Sequence, residues 1–191
     1  MKKFLTVAIA MFVTCVMNAQ VKEQIQQSKD RSAKLEALCK DYKPCGNANI
    51  DGYGDAVKNA ALFAIANSVQ LEDMYKRQIG ETKEGVTNVT ITKPTLEEWV
   101  TFATTVAGEG ASIKAAVDKA KDAGEEAKEM AKDAESLKNP MKAAKAVKTA
   151  KAATAVVEFG NAATPILMEE SAAQVKAVQE IIETLKSGKN I

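Results

Sequence analysis

Between Trp99 and Leu137 apolar or small side chains return every three or four residues, at Trp99, Phe102, Val106, Gly110, Ile113, Val117, Ala120, Gly124, Ala127, Met130, Ala134 and Leu137. A helix turns about 100° per residue, so this spacing lays them along one side of a single long helix. Such a stripe has to be covered, and the rest of the chain supplies the cover in the same style. It is rich in Ala, Lys and Glu and only 5% aromatic, a composition that favours helices. A core of small residues buries little area per position. The helices must therefore pack closely, in coiled-coil fashion, or associate with something else.

Start and stop signals divide the chain further. Val21 to Lys40 reads as a first helix with Val21, Ile25, Ser28, Ser32, Leu35 and Leu38 on one side. A loop dense in Pro, Gly, Asn and Asp follows to Gly54. A second helix runs from Asp55, a candidate N-cap, to Gln78, with Val57, Ala61, Ala64, Ile65, Val69, Leu71 and Met74 as its stripe. Gly80 to Pro94 interrupts the helical pattern, and its β-branched run Val86–Thr92 suggests a short strand or extended arm. Asn88-Val89-Thr90 also fits a glycosylation sequon, a short pattern that carries little weight alone. Thr95-Leu96-Glu97-Glu98 spells a capping box for the long helix, within which Gly108 and Gly110 are candidate kinks. Asn139-Pro140 ends that helix and starts the next, because proline suits the first helical position. Gly160-Asn161 reads as a turn, and Thr164-Pro165 opens a last helix carrying Leu167, Ser171, Val175, Val178, Ile182 and Leu185. The expected fold is all-α: about five helices in an up-and-down bundle, one of them long, with an extended arm near 80–94.

The first residues bear on destination rather than fold. Lys2 and Lys3 precede an uncharged run from Phe4 to Met17. A short basic region, an apolar stretch of about a dozen residues and a small exit residue resemble a Gram-negative secretory signal. The run is shorter than the roughly 20 residues a membrane-spanning helix needs. Cleavage after Ala19 leaves 20–191 as one helical domain, periplasmic or secreted. The alternative is lipidation at Cys15, for which Phe12-Val13-Thr14 is a poor context. Removing the signal leaves 24 basic residues against 25 acidic ones, a net charge of −1. A near-neutral chain has no global field to attract nucleic acid.

In the mature chain the remaining cysteines, Cys39 and Cys45, flank a proline-containing loop. In an oxidising compartment the pair is expected to form a disulfide, a constraint of about 2.4 kcal/mol. Just beyond lies Asn47-Ala48-Asn49-Ile50-Asp51-Gly52-Tyr53-Gly54-Asp55. Oxygen-bearing residues at its positions 1, 3, 5 and 9, with Gly at 6, resemble the calcium loop of EF-hand and dockerin-type proteins. The resemblance implies Ca²⁺ held by Asn47, Asn49, Asp51, the Tyr53 carbonyl and Asp55. The pattern departs at its first ligand, Asn rather than Asp, and at position 12, where Lys58 replaces the bidentate Glu. The alternative is a turn and helix cap made of the usual Asn, Asp and Gly.

Three further features bear on partners. Lys138, Lys142, Lys145, Lys148 and Lys151 form a basic stripe, either a contact for an anionic membrane surface or polymer, or a solvated face complementing Asp122, Glu125, Glu126, Glu129 and Asp133. Lys-Ala-Ala phrases around 115–153 resemble apolipoprotein and desiccation-protein helices in composition only. Ala152 to Met168 is the least polar stretch of the mature chain, either a membrane-inserting hairpin or two buried helix ends. Trp99 and Phe102 read as core anchors. The chain has no histidine, which removes Ser-His and Cys-His dyads and His-ligated metals. Glu97/Glu98, Glu125/Glu126 and Glu169/Glu170 are sequence neighbours expected to point apart. The expectation is an exported, non-catalytic interaction or structural protein without a cofactor, contacting a protein partner or itself through helical faces. A membrane-active or lipid-binding protein is the alternative, and a calcium-dependent module the third.

Overall fold

A computed structural model describes residues 2–81 and 91–189, with side chains described from residue 20 onward. Four helices carry the fold: α1 Lys2–Asp41, α2 Ala48–Ile79, α3 Leu96–Ser136 and α4 Pro140–Lys186. α1 packs on α2 and α4, and α3 packs on the same two, while α1 and α3 do not touch among the described residues. Contacts fix the directions. Asn67 of α2 meets Glu109 of α3, and Asn47 meets Glu126, so these helices are antiparallel. Gly160 of α4 lies under Tyr53 of α2, and Gln174 reaches Ala64, so α2 and α4 run parallel across the diagonal. The result is an up-down-up-down bundle, as expected.

The helix count differs from the sequence expectation. The anticipated turn at Gly160-Asn161 does not form, and α4 continues through Pro165 to Lys186. Proline there has no N–H for the Asn161 carbonyl. Both residues are exposed, so water can take the freed carbonyl and the break costs less than it would indoors. Gly160 is a packing glycine: a Cβ there would run into the Tyr53 ring. Gly54 does the same for α2, beside Tyr42 and Val156. These two glycines let the diagonal helices approach closely.

Caps account for the other boundaries. Asn47 starts α2 by accepting from the Asn49 and Ile50 amides at 3.0 and 3.1 Å, eight residues before Asp55, the cap expected from sequence. The Thr95–Glu98 capping box forms in both directions, at 3.2 and 2.7 Å. Asn139 caps α4 with Pro140 as its first residue. Gly108 and Gly110 do not interrupt α3. The expected arm falls mostly on residues 82–90, outside the described residues; Ile91 and Thr92 carry no strand.

The buried seam of each later helix alternates steps of three and four. On α3 it runs Trp99, Phe102, Val106, Glu109, Ile113, Ala116, and on α4 Val156, Gly160, Ala163, Leu167, Glu170, Gln174, Ala177, Ile181. This is heptad packing. It places the core one position away from part of the stripe expected from apolar residues alone: Val69, Val117 and Leu137 are exposed. The apolar interior comes in two blocks. One, at the end where α1 meets α2, gathers Leu35, Ile50, Tyr53, Val57, Ile113, Val156, Phe159 and Leu167. The other holds Val21, Ile25, Leu71, Met74, Trp99, Phe102, Val106, Val178 and Ile181. Trp99 and Phe102 are core anchors, set edge to face at 6.4 Å, with the indole N–H donated to Gln78 at 3.1 Å.

Candidate functional site

Between the two apolar blocks every helix contributes polar side chains to one buried layer. Ser28 and Arg31 come from α1, Asn67 and Ser68 from α2, Glu109 from α3, and Glu170, Ser171 and Gln174 from α4. Glu109 and Glu170 are fully buried, a burial carboxylates tolerate only when paired or neutralised. Glu170 is paired. Arg31 Nε donates to its Oε2 at 2.6 Å, Gln174 Nε2 donates to its Oε1 at 2.6 Å, and Ser28 Oγ also bonds Oε1. Ser28 and Ser68 share a further bond of 2.7 Å. Gln174 also donates to the Ala64 carbonyl at 3.0 Å, tying α4 to α2.

Glu109 is held differently. Among the described residues its hydrogen-bond partner is Asn67, whose Nδ2 donates to Oε2 at 2.8 Å, and Oε1 has none. Burial, opposed by the Asn67 bond and reinforced by the Glu170 charge, pushes its pKa up to about 7. The one guanidinium of the layer pairs with Glu170, and Glu109, without a cation, keeps its proton near neutrality. Arg31 Nη2 and Gln174 Oε1 are also unpartnered. Sequence reading passed over this layer. Glu109 is not among the residues the apolar spacing singles out, and Glu170 reads there only as a neighbour of Glu169. The usable signal was the strict three-four spacing through Trp99, Phe102, Val106 and Ile113, which has Glu109 as its missing member.

The residues expected to ring a calcium ion do not converge. From Ala48 onward they sit on a helix, whose 100° steps fan alternate residues around its axis. Asn47 Nδ2 and Asn49 Nδ2 donate to the two oxygens of Glu126 on α3, at 2.7 and 3.0 Å, which lowers the Glu126 pKa. The Asp51 carboxylate accepts from the Cys45 and Gly46 amides at 2.7 and 2.8 Å. Asp55 accepts from the Tyr42 hydroxyl at 2.8 Å. Tyr53 is buried against Gly160. The cap reading is the one the geometry follows. No group of three or more Asp, Glu, His or Cys side chains suited to a metal occurs among the described residues.

The expected Cys39–Cys45 disulfide is also corrected: both thiols are free. Cys39, in the last turn of α1, is turned into the apolar block, while Cys45 has its backbone held by Asp51. Burial raises both thiol pKa values, so neither is an activated thiolate.

Lys142, Lys145, Lys148 and Lys151 lie exposed along the outer side of α4, with Lys138 in the preceding turn. None forms an ion pair among the described residues, so the expected complement with Asp122, Glu125, Glu126, Glu129 and Asp133 is not made. Met141 beside them is 85% exposed. The 152–168 stretch is continuous helix rather than a hairpin, and Ala153, Val156, Phe159, Ala163 and Leu167 spend its apolar face on the core. No described helix is long and apolar enough to cross a membrane.

Apolar side chains also reach the outer surface at several places. On α2, Leu62 and Val69 stand one heptad apart at 49% and 63% exposure, with Phe63 and Ala66 beside them. Between α3 and α4 runs a groove of about 570 Å³ lined by Gly110, Ile113, Val117, Met168, Ala172 and Val175, with Lys114 and Lys176 on its two sides. No protein-family model matches this chain, and neither the curated proteins nor the solved structures contain a match to it.

Proposed function

We propose that this is an exported, non-catalytic helical-bundle protein that contacts a protein partner, or a second copy of itself, through an outer helix face. The observation that carries the reading is the α2 patch. Leu62, Ala66 and Val69 follow the i, i+4, i+7 rule of a helix-docking seam, yet they face outward. Isolated exposed apolar residues need no explanation, but a contiguous pair of turns is the usual mark of an interface. Export rests on the Lys2-Lys3 start and the uncharged run to Met17, with residues 1–19 as the removed signal. The buried layer supports a structural use, since its carboxyls are sealed from solvent and no substrate reaches them.

Sedimentation equilibrium and partner capture with the full mature chain, alongside a Leu62→Glu/Val69→Glu variant, test this reading. Association that the double variant abolishes while its helicity is retained supports it. A wild-type monomer that captures nothing, or association indifferent to the two substitutions, overturns it.

A second reading, contact with an anionic membrane surface, is favoured by Lys142, Lys145, Lys148 and Lys151, which form no ion pair among the described residues, next to exposed Met141. Each lysine near such a surface is worth about 1 kcal/mol. Flotation with phosphatidylserine vesicles at low and high salt tests it; failure to float at low salt removes it.

A further inference from the structure

The groove between α3 and α4 differs from the α2 patch in shape and chemistry. It is concave, and its floor is built from small and flexible residues: Gly110 and Ala172 leave room, while Ile113, Val117, Met168 and Val175 make the walls. Met168 is 58% exposed and Val117 39%, so water reaches apolar surface that a buried seam would cover. The space beside Gly110 is open, with nothing within 4 Å of where a Cβ would sit. A volume of about 570 Å³ falls in the small-molecule range of about 300–1,000 Å³. The lining extends from Met168 to Gln179, about 16 Å along the α4 axis at 1.5 Å per residue. That is the length of an extended chain of about a dozen carbons.

Charge selects among apolar occupants of that length. The two ionic side chains on the lining are both cations, one from each helix: Lys114 on α3 and Lys176 on α4. Lys114 has no ion pair among the described residues, and Lys176 reaches only Glu180, at 3.9 Å along its own helix. Lysines bury their methylene stems along apolar walls and keep the ammonium at the rim. An apolar trough with ammonium groups on both sides complements a linear anion whose tail is hydrocarbon.

We propose that this groove binds a single-chain anionic amphiphile, with its acyl chain along Ile113, Val117, Met168 and Val175 and its carboxylate met by one of the two rim lysines, Lys114 or Lys176. The site is separate from the α2 patch, so neither surface depends on the other. Gly110 is the gate on occupancy: a larger side chain there fills the trough from the α3 side. Because the position is open and helical, Gly110→Leu is expected to keep the fold and to gain helix propensity.

Calorimetric titration of the full mature chain with dodecanoate, below its micelle concentration, tests the proposal. Dodecyltrimethylammonium serves as the same-length cation and acetate as the tail-less anion. Binding of one dodecanoate per chain is expected, with neither control binding. Gly110→Leu, shown folded by circular dichroism, is expected to weaken dodecanoate at least tenfold. Lys114→Glu/Lys176→Glu is expected to reverse the preference toward dodecyltrimethylammonium, whereas Leu62→Glu leaves dodecanoate binding unchanged. The proposal is overturned if wild type ignores dodecanoate, if Gly110→Leu binds it equally, or if charge reversal leaves the preference intact. Self-association that Gly110→Leu blocks, without dodecanoate binding, likewise overturns it by assigning the groove to a second copy.

Discussion

The two ends of the bundle and its middle solve the same packing problem with opposite materials. At the α1–α2 end, aromatic rings and glycines interlock: Tyr53 over Gly160, Tyr42 beside Gly54 and against Phe159 at 4.8 Å. At the other end Trp99, Phe102, Leu71 and Ile181 fill the space. In the middle, the same heptad positions carry Asn67, Glu109, Glu170 and Gln174. Apolar layers tolerate shifts in helix register, because one aliphatic contact replaces another. A polar layer does not, since each donor must meet its acceptor. We attribute cohesion to the ends and register to the middle, and the substitutions below test that division.

The largest effect is expected where the middle holds its only buried cation. Arg31→Met removes the partner of Glu170 and strands a buried carboxylate, at a cost of about 3–5 kcal/mol. Urea unfolding at pH 7 measures it; a loss under 1 kcal/mol would show that the ion pair is idle.

Next comes the pH response of the middle. The Glu109 pKa is about 7 in the fold against about 4.3 for a free glutamate. Below both values the carboxyl is protonated in both states and costs nothing. As pH rises from about 4 to 7 the unfolded chain releases the proton first, so this group makes stability fall, by about 4 kcal/mol at most, and then level off. Glu109→Gln is expected to flatten that portion of the stability–pH curve and to raise stability at pH 8. A variant whose curve parallels wild type would break the contrast between middle and ends.

At the aromatic end, Gly160→Ala forces a methyl into the Tyr53 ring and is expected to cost about 1–3 kcal/mol, read as a lower thermal midpoint. The sharpest control is the smallest: Val69→Glu, on the exposed side of α2, is expected to stay within about 0.5 kcal/mol of wild type. If instead it destabilises strongly, Val69 belongs to the interior.

What the sequence disclosed follows the same division. Thr95 with Glu98, and Asn139 before Pro140, announce helix starts because local side-chain chemistry decides them. Trp99, Phe102, Leu35 and Leu167 announce the apolar blocks through size and spacing. Gly160 and Pro165 misled, because a glycine demanded by the neighbouring Tyr53 looks the same in sequence as a glycine demanded by a turn. Asn47 to Asp55 looked like a cation loop because caps and calcium loops draw on the same residues; only the partners, Glu126, Cys45, Gly46 and Tyr42, separate them. Glu109 was hidden by its charge. Reading Val117 and Leu137 as core followed apolar character, whereas the strict heptad phase passes through Glu109 and Ala116.

The most direct test of this account is a ¹³C-detected NMR titration of the Glu109 side-chain carboxyl, assigned by comparison with Glu109→Gln, in the folded protein. The buried-layer account predicts a midpoint near 7. A midpoint near 4.3, the ordinary value, would mean that Glu109 is solvated and that the bundle has no sealed polar layer.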